Sequence, residues 1–443
     1  MLTLMSKVSI SSPIRLVFVL GALLVSLSSG AASKSDSKPV FKQGFNFGVL
    51  PVTNYNTDLG FQGGLLGQVY HYGSGDIYPN YYHKIQTVAS IYSKGAVQLD
   101  FFYDSKYLIP GKRVTASLKY FDSPLDVFYG FNGAVSPYYN ELDLRKDEAG
   151  EDGIAFYALH KKIISANFEL QGRLARELNW IAGAVYMDYR YSDTSASVYD
   201  GTETLYHQYV ANGLISPDEA SGGKRLELKA GLLYDTRNFE SFPESGTMAS
   251  LQLTATLDAG GSGYNSLMVS AQVRKYLPLV KDRLVLAGQL SCTARLAGNL
   301  PFYALSSPQF RGLSGNRLAG DGVAYANMEL RWRIARIVLF GQNISVGINP
   351  FLDAGGVIQY HKLEQQLALS DVCISKTLDN KTFGPVPSIC DPACGGRERM
   401  HFSAGGGFFY TMNENFIISF ESGFPLNRRD GLFALRIDLG FMF

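Results

Sequence analysis

Several stretches alternate between apolar and polar residues, and their polar faces carry too much charge for a packed core. In LFALRIDLGFMF, residues Phe433, Leu435, Ile437, Leu439, Phe441 and Phe443 share one face, opposite Ala434, Arg436, Asp438 and Gly440. KRLELKAGLLYDTR sets Leu226, Leu228, Ala230, Leu232 and Tyr234 against Arg225, Glu227, Lys229, Asp235 and Arg237. DRLVLAGQLSCTARL opposes Leu284, Leu286, Leu290 and Leu296 to Arg283, Gln289, Ser291, Thr293 and Arg295. MELRWR does the same with Met328, Leu330 and Trp332 against Glu329, Arg331 and Arg333. A period of two is a strand signature. Each unpaired polar group in a dry core would cost several kcal/mol, so the charged face has to line a wet interior and the apolar face has to meet lipid. That is the pattern of an all-β transmembrane antiparallel β-barrel.

Composition agrees: 46 Gly, 27 Tyr and 28 Phe with only 18% charged residues suit strands, turns and aromatic girdles better than helices. Lys+Arg 40 against Asp+Glu 39 leaves no basic surface for nucleic acid. Near the start, Lys7 and Arg15 precede the apolar run Leu16 to Leu27, and Ser29, Gly30, Ala31 and Ala32 follow. This reads as a signal peptide over 1–32, too short for a spanning helix of roughly 20 residues. Three of the four cysteines, Cys373, Cys390 and Cys394, lie in CISKTLDNKTFGPVPSICDPAC, where an oxidising compartment favours one local disulfide. A Cys–His metal site with His361 or His401 fits no standard zinc spacing, so no metal and no cofactor are expected.

Counting back from Phe443 gives about 16 strands, an even number as single-chain barrels have. The expected domains are the signal peptide 1–32, a short periplasmic or lead-in segment 33–60, and the barrel 61–443. Within it the pattern predicts a first strand at 61–72, separate strands at 112–122 and 125–134, one strand over 343–358, and a last strand at 432–443. Connections 93–94, 123–124, 238–244, 278–281 and 412–414 are tight, whereas 135–153, 193–222, 298–321 and 359–400 are long. Short turns belong in the periplasm and long loops outside the cell.

In the C-terminal half the residues resemble the BamA/TamA-like outer-membrane assembly and secretion superfamily, the bacterial surface antigen family. YDTRNFESFPESG resembles the family's Asp-x-Arg turn followed by Pro-x-x-Gly, here Asp235, Arg237, Pro243 and Gly246. FRGL resembles its Arg-Gly loop motif, with Leu313 where an aromatic is usual, and MELRW and NPFLDAGGV resemble the two strands after that loop. The resemblance implies a loop folded into the lumen whose Arg311 meets Glu329 and Asp353. Residue parity agrees, since Asp353 shares a face with Asn343, Ser345 and Asn349. Gly312 is expected where the backbone approaches closely. Assembly members carry periplasmic POTRA domains ahead of the barrel, and only about 30 residues precede it here after the signal, so the chain reads as a short member without them.

The resemblance implies an outer-membrane barrel inserting or translocating protein or lipid through a seam between first and last strands, with Gly63, Gly64, Gly67, Gly440 and Phe443 placed there. The alternative is a passive pore or a barrel binding an extracellular ligand through its long loops. Expected partners are outer-membrane lipids and protein or lipid clients, with no nucleic acid and the oligomeric state undetermined. No catalytic residue is expected. His401 and Ser403 in MHFSAGGGF have the spacing of a phospholipase His-x-Ser pair, but no Asn follows, both point inward, and there is no GxSxG elbow.

Overall fold

In the computed structural model, residues 43–77, 81–136, 138–139, 156–194, 203–240, 242–339, 342–369, 398–412, 416–439 and 443 are described. The signal region 1–32, Gly440 and the three clustered cysteines Cys373, Cys390 and Cys394 lie outside them. Residues 41–337 and 343–443 form one compact unit. Its wall begins with β1 (Phe45–Asn56), β2 (Gly60–His71), β3 (His83–Tyr92), β4 (Val97–Ile109) and β5 (Lys112–Val127). It continues through β6 (Ala158–Arg173), β7 (Leu178–Ser192), β8 (Gly222–Asp235), β9 (Gly246–Asp258), β10 (Ser266–Val280) and β11 (Leu284–Gly298). The last strands are β12 (Gly322–Leu339), β13 (Gln342–Ile348), β14 (Phe351–Gln359), β15 (His401–Met412), β16 (Phe416–Pro425) and β17 (Ala434–Leu439).

Sequential strands pair antiparallel, and β17 returns to β1. β13 and β14 are one wall strand broken at Asn349–Pro350, because both pair with β15 in a single unshifted register, Ile348↔Phe408 and Phe351↔Gly405. Pro350 has no N–H to give the ladder, yet the strand stays in line, since the Asn349 N–H donates to the Gly407 carbonyl and the Pro350 carbonyl accepts from the Leu330 N–H, each at 3.0 Å. Among the described residues the wall therefore has sixteen strands in seventeen stretches.

The expected total is met through two offsetting differences. The stretch around FNFGVLPV, read as lead-in, is wall strand β1, paired with β2 at every position from Phe45↔His71 to Asn56↔Gly60. Its inner face carries Gly48, Leu50 and Val52 in place of charges, so it lacks the pattern that marks the other strands. Conversely, the supposed turn at 123–124 lies inside β5, where the register with β6 shifts between Ser123 and Asp126. Pro124 makes a bulge here, because the donor it lacks interrupts the ladder without reversing the chain. With that turn gone, everything upstream reverses direction, and the 93–96 connection joins the long loops instead of the short turns.

Orientation along each strand follows the alternation. On β12, Glu329 and Arg331 are each 1% exposed while Met328 is 48% and Trp332 50% exposed. On β11, Leu290 is 64% exposed beside buried Gln289. A soluble sandwich has the opposite arrangement. Apolar clustering occurs mainly among the long loops: Phe128, Phe131, Phe156, Tyr209, Ile215 and Phe302 pack together at one end, with the helix Leu205–Ala211 carrying Tyr209 into the cluster.

The lipid-facing assignment yields a first prediction. Leu290→Arg, near the middle of β11, should cost about 2–4 kcal/mol, read as a lower urea midpoint of the barrel folded in lipid vesicles; an unchanged midpoint would mean that this face does not meet hydrocarbon.

Candidate functional site

The loop between β11 and β12 turns into the lumen and delivers Arg311, 1% exposed, to the inner wall. Its Nη2 donates to Asp353 Oδ1 at 2.7 Å, its Nε to Asp353 Oδ2 at 3.2 Å, and its main-chain N–H to the same Oδ2 at 2.9 Å. Nη1 donates to Glu329 Oε2, and Glu421 Oε1 lies 3.5 Å from it. A planar guanidinium is suited to this fork on a carboxylate, which fixes direction as well as position. The expected trio of Arg311, Glu329 and Asp353 is thus brought together, and Glu421 joins it from β16, a strand that no motif marked.

The second cation is Arg331, whose Nε donates to Glu329 Oε1 at 2.6 Å and whose Nη2 donates to the main-chain oxygen of Phe443. Asn349 Nδ2 donates to Glu421 Oε1 at 2.6 Å. Three buried carboxylates thus face two guanidiniums and an amide, with almost no exposure to solvent. Such a cluster holds its geometry because losing any one partner strands a buried charge.

Below the charges, one register row of the wall makes a seat. Glu329 pairs with Phe351, Phe351 with Gly405 and Gly405 with Gly423 across β12, β14, β15 and β16. The Arg311 guanidinium stacks 3.9 Å above the Phe351 ring. The two glycines keep the row flat: a Cβ at Gly405 would meet the Phe351 ring at 2.6 Å, and one at Gly423 would meet Gly312 Cα at 2.9 Å. Gly312 is equally constrained, since its Cβ would reach Ser403 Cβ at 2.7 Å and the Phe424 main-chain nitrogen at 2.9 Å. Loop and wall therefore touch backbone to backbone, as Gly312 led one to expect; Gly405 and Gly423 were invisible because register, not spacing, aligns them.

A second arginine of the loop, Arg317, works nearer the long-loop end. It donates to the carbonyls of Gly133 (3.2 Å), Ser136 (3.0 Å) and Arg429 (3.0 Å), tying three loops together. Beside it His401 is held between Glu398 and Asp430, with Nδ1 2.9 Å from Asp430 Oδ2, while Arg399 reaches Asp430 at 3.1 Å. Ser403 is fully buried beneath Gly312. His401 thus serves as a clamp between carboxylates, and Ser403 as floor.

At the opposite end, Arg237 Nη2 meets Asp235 Oδ2 at 2.7 Å, and Arg237 Nε meets Oδ1 at 2.9 Å. Gly246 has φ 108°, and a Cβ there would strike the Thr236 carbonyl at 2.3 Å. Pro243 is buried in the same turn. Two expected seam assignments need correction. Gly63, Gly64 and Gly67 lie on β2, paired on one side with Thr53, Val52 and Val49 and on the other with Ile91, Ser90 and Thr87, so none is at an edge. Gly64 serves close packing, its Cβ position lying 2.4 Å from the Ala89 carbonyl. Phe443 is not on the lipid face: it is buried inside, packed with Tyr276, Val285 and Ala287 of β10 and β11. Alternation could not reveal this, because it presumes that the strand continues straight to its last residue. Cys292 is a free cysteine on β11.

A family model described as the Omp85 superfamily domain matches residues 87–443. The chain belongs to the Omp85 superfamily. Omp85 members are outer-membrane β-barrels, and this chain is one, of the kind that inserts or secretes at that membrane. Among solved structures, BamA from Haemophilus ducreyi lacking POTRA domains 1–3 is similar at 17% identity and TM-score 0.52, over 90% of this chain and 71% of that one. CdiB from Escherichia coli aligns at 13% identity and TM-score 0.52, covering 90% and 63%. CdiB from Acinetobacter baumannii gives 12% and 0.50, covering 90% and 60%. The chain thus spans less than two thirds of either CdiB. At these identities the likeness is one of fold. No curated protein matches significantly in sequence.

Two predictions concern this Omp85 barrel's inward loop and the β16–β17 connection that Arg317 touches. Arg311→Ala leaves Asp353 buried without its cation and should cost about 3–5 kcal/mol, with Gly312→Ala in the same direction through its backbone clash; both are read as loss of the heat-resistant folded band on a gel. The second concerns Asp430. Burial pushes its carboxyl up, but the hydrogen bond and charge of His401 and the charges of Arg317 and Arg399 outweigh burial and hold it below the ordinary carboxylate range. A depressed acid stabilises the folded form fully above its unfolded value, roughly pH 4, and that contribution disappears as pH falls through the folded value. Limited proteolysis should therefore cut the loops around Arg317 and Asp430 faster at pH 3 than at pH 6, and Asp430→Asn should remove most of that difference.

Proposed function

We propose that the barrel inserts or translocates extended polypeptide at the outer membrane through a seam between β1 and β17. The observation that carries this reading is the imbalance of pairing around β1. β1 meets β2 at twelve consecutive positions, but among the described residues it meets β17 only at Asn56↔Arg436.

Proline position adds to the imbalance. Tyr72 N–H donates to the Gly44 carbonyl at 2.8 Å, so Gly44 directs its main chain at β2. Register is unshifted along β1, hence even-numbered residues face β2 and odd-numbered ones face the opposite edge. Pro51 is odd-numbered, and the donor it lacks is one that would have pointed at the seam. Phe45, Phe47 and Val49 on the same side stay exposed at 66%, 77% and 70%, as lipid-facing residues of a wall edge do. With the side chain of Phe443 drawn inside, the end of the sequence contributes to the lumen cluster. A sparsely paired strand edge is a template for another strand, which favours extended protein over lipid as the cargo.

Site-specific photocrosslinkers at Thr53 and Arg436 in living cells test the proposal. Capture of unfolded or secreted polypeptide supports it; capture of lipid alone, or of nothing, overturns it. Pro51→Val restores one donor and should stabilise the closed barrel by about 0.5–1.5 kcal/mol while lowering capture at Thr53; unchanged capture would show that Pro51 does not weaken the seam.

A further inference from the structure

The turn between β8 and β9, Thr236 to Ser245, does more than reverse the chain. It is stiffened from within by the Asp235–Arg237 pair and by Asn238, whose Oδ1 accepts from the main-chain N–H groups of Glu244 (2.9 Å) and Ser245 (3.0 Å). From this base it reaches two distant parts of the wall. On one side Glu240 lies 3.1 Å from Lys106 Nζ of β4 and 3.5 Å from Arg113 Nη1 of β5. On the other, Glu244 Oε1 lies 2.7 Å from Arg333 Nη2 of β12, and the Arg333 guanidinium sits 4.8 Å above the Phe242 ring. Phe242 is buried against Phe409 of β15 and Ile417 of β16. These partners belong to strands flanking the turn's own pair in both directions around the ring, so the turn lies across the opening at the short-turn end.

We propose that this turn is a stopper of the barrel's periplasmic mouth, seated by Phe242 and tethered by Glu240 and Glu244. The assignment of that end to the periplasm rests on the barrel reading given above; the closure itself does not. The two sides differ in strength. Lys106 and Glu240 are about half exposed, and surface ion pairs of this sort contribute little. The Phe242 seat is dry and backed by a nearly buried guanidinium, so it sets whether the stopper is in or out. The Asp-x-Arg and Pro-x-x-Gly residues acquire a purpose in this arrangement: they make a finger rigid enough to hold an aromatic ring away from its own strands.

The test is access to the wall behind Phe242, independent of any client. Ser345 is nearly buried and shares a register row with Thr411 and Ile417. Ser345→Cys in the full folded chain is treated with a bulky charged maleimide, and its labelling rate is read by mass spectrometry, which separates it from native cysteines. Labelling should be slow in this background and faster by a factor on the order of ten with Phe242→Ala. Phe242 lies in the turn and outside the strand ladder, and Glu244→Arg gives a second variant of the same kind. Glu244→Arg should also speed labelling, and adding Arg333→Glu should slow it again by restoring the pair with its charges exchanged. Phe239→Ala, on the exposed side of the turn, should leave the rate unchanged. Equal rates in the Phe242→Ala and Glu244→Arg variants and the parent, with the folded gel band retained, would overturn the stopper. Failure of the seam crosslinks would leave this result untouched.

Discussion

Everything in this barrel depends on keeping charge inside and hydrocarbon contact outside. In lipid no water is available to satisfy a backbone group, so the wall pairs every strand with its neighbours. The same absence of water drives Glu329, Arg331 and Arg333 to the inner face while Met328 and Trp332 meet lipid. Once charges are gathered in a narrow interior they need partners, and the partners available are other inward side chains and loops that can turn inward. The Arg311 cluster is that requirement met: a loop cation neutralises carboxylates contributed by three different wall strands.

From this follows the coupling of features that look separate along the chain. Arg331 bonds Glu329, which also holds Arg311, and reaches the main-chain oxygen of Phe443. The inward loop and the end of the sequence are therefore parts of one charge network, next to the strand whose pairing with β1 is sparse. Two hydrogen-bonded side chains, Glu329 and Arg331, thus connect the seat of Arg311 to Phe443. The two ends of the lumen are managed differently: at one, aromatic loop residues make a small apolar core with Arg317 stitching the loops; at the other, a single stiff turn crosses the opening.

Legibility in the sequence was uneven for physical reasons. β8, β11 and β12 were plain because lipid and water select opposite side chains at successive positions. β1 was missed because its inner face carries Gly48, Leu50 and Val52, and an apolar residue on both faces erases the alternation. β5 was split because Pro124 looks the same in a sequence whether it ends a strand or bulges one. Arg311, Glu329 and Asp353 were found through resemblance supported by parity, whereas Glu421, Gly405 and Gly423 were not, since nothing in their spacing distinguishes them from other strand residues.

The sequence by itself determined the fold class and the orientation of the strands' faces, because both follow from local alternation between two solvents, and the pairing of Arg311 with Glu329 and Asp353 came from the family resemblance with parity in support. Register and direction were decided only in the tertiary structure. Which glycines face each other, where the last phenylalanine turns, and which wall strands a ten-residue turn reaches depend on how far each strand slides along its neighbour. That displacement is fixed by closure of the whole ring, so no segment encodes it alone.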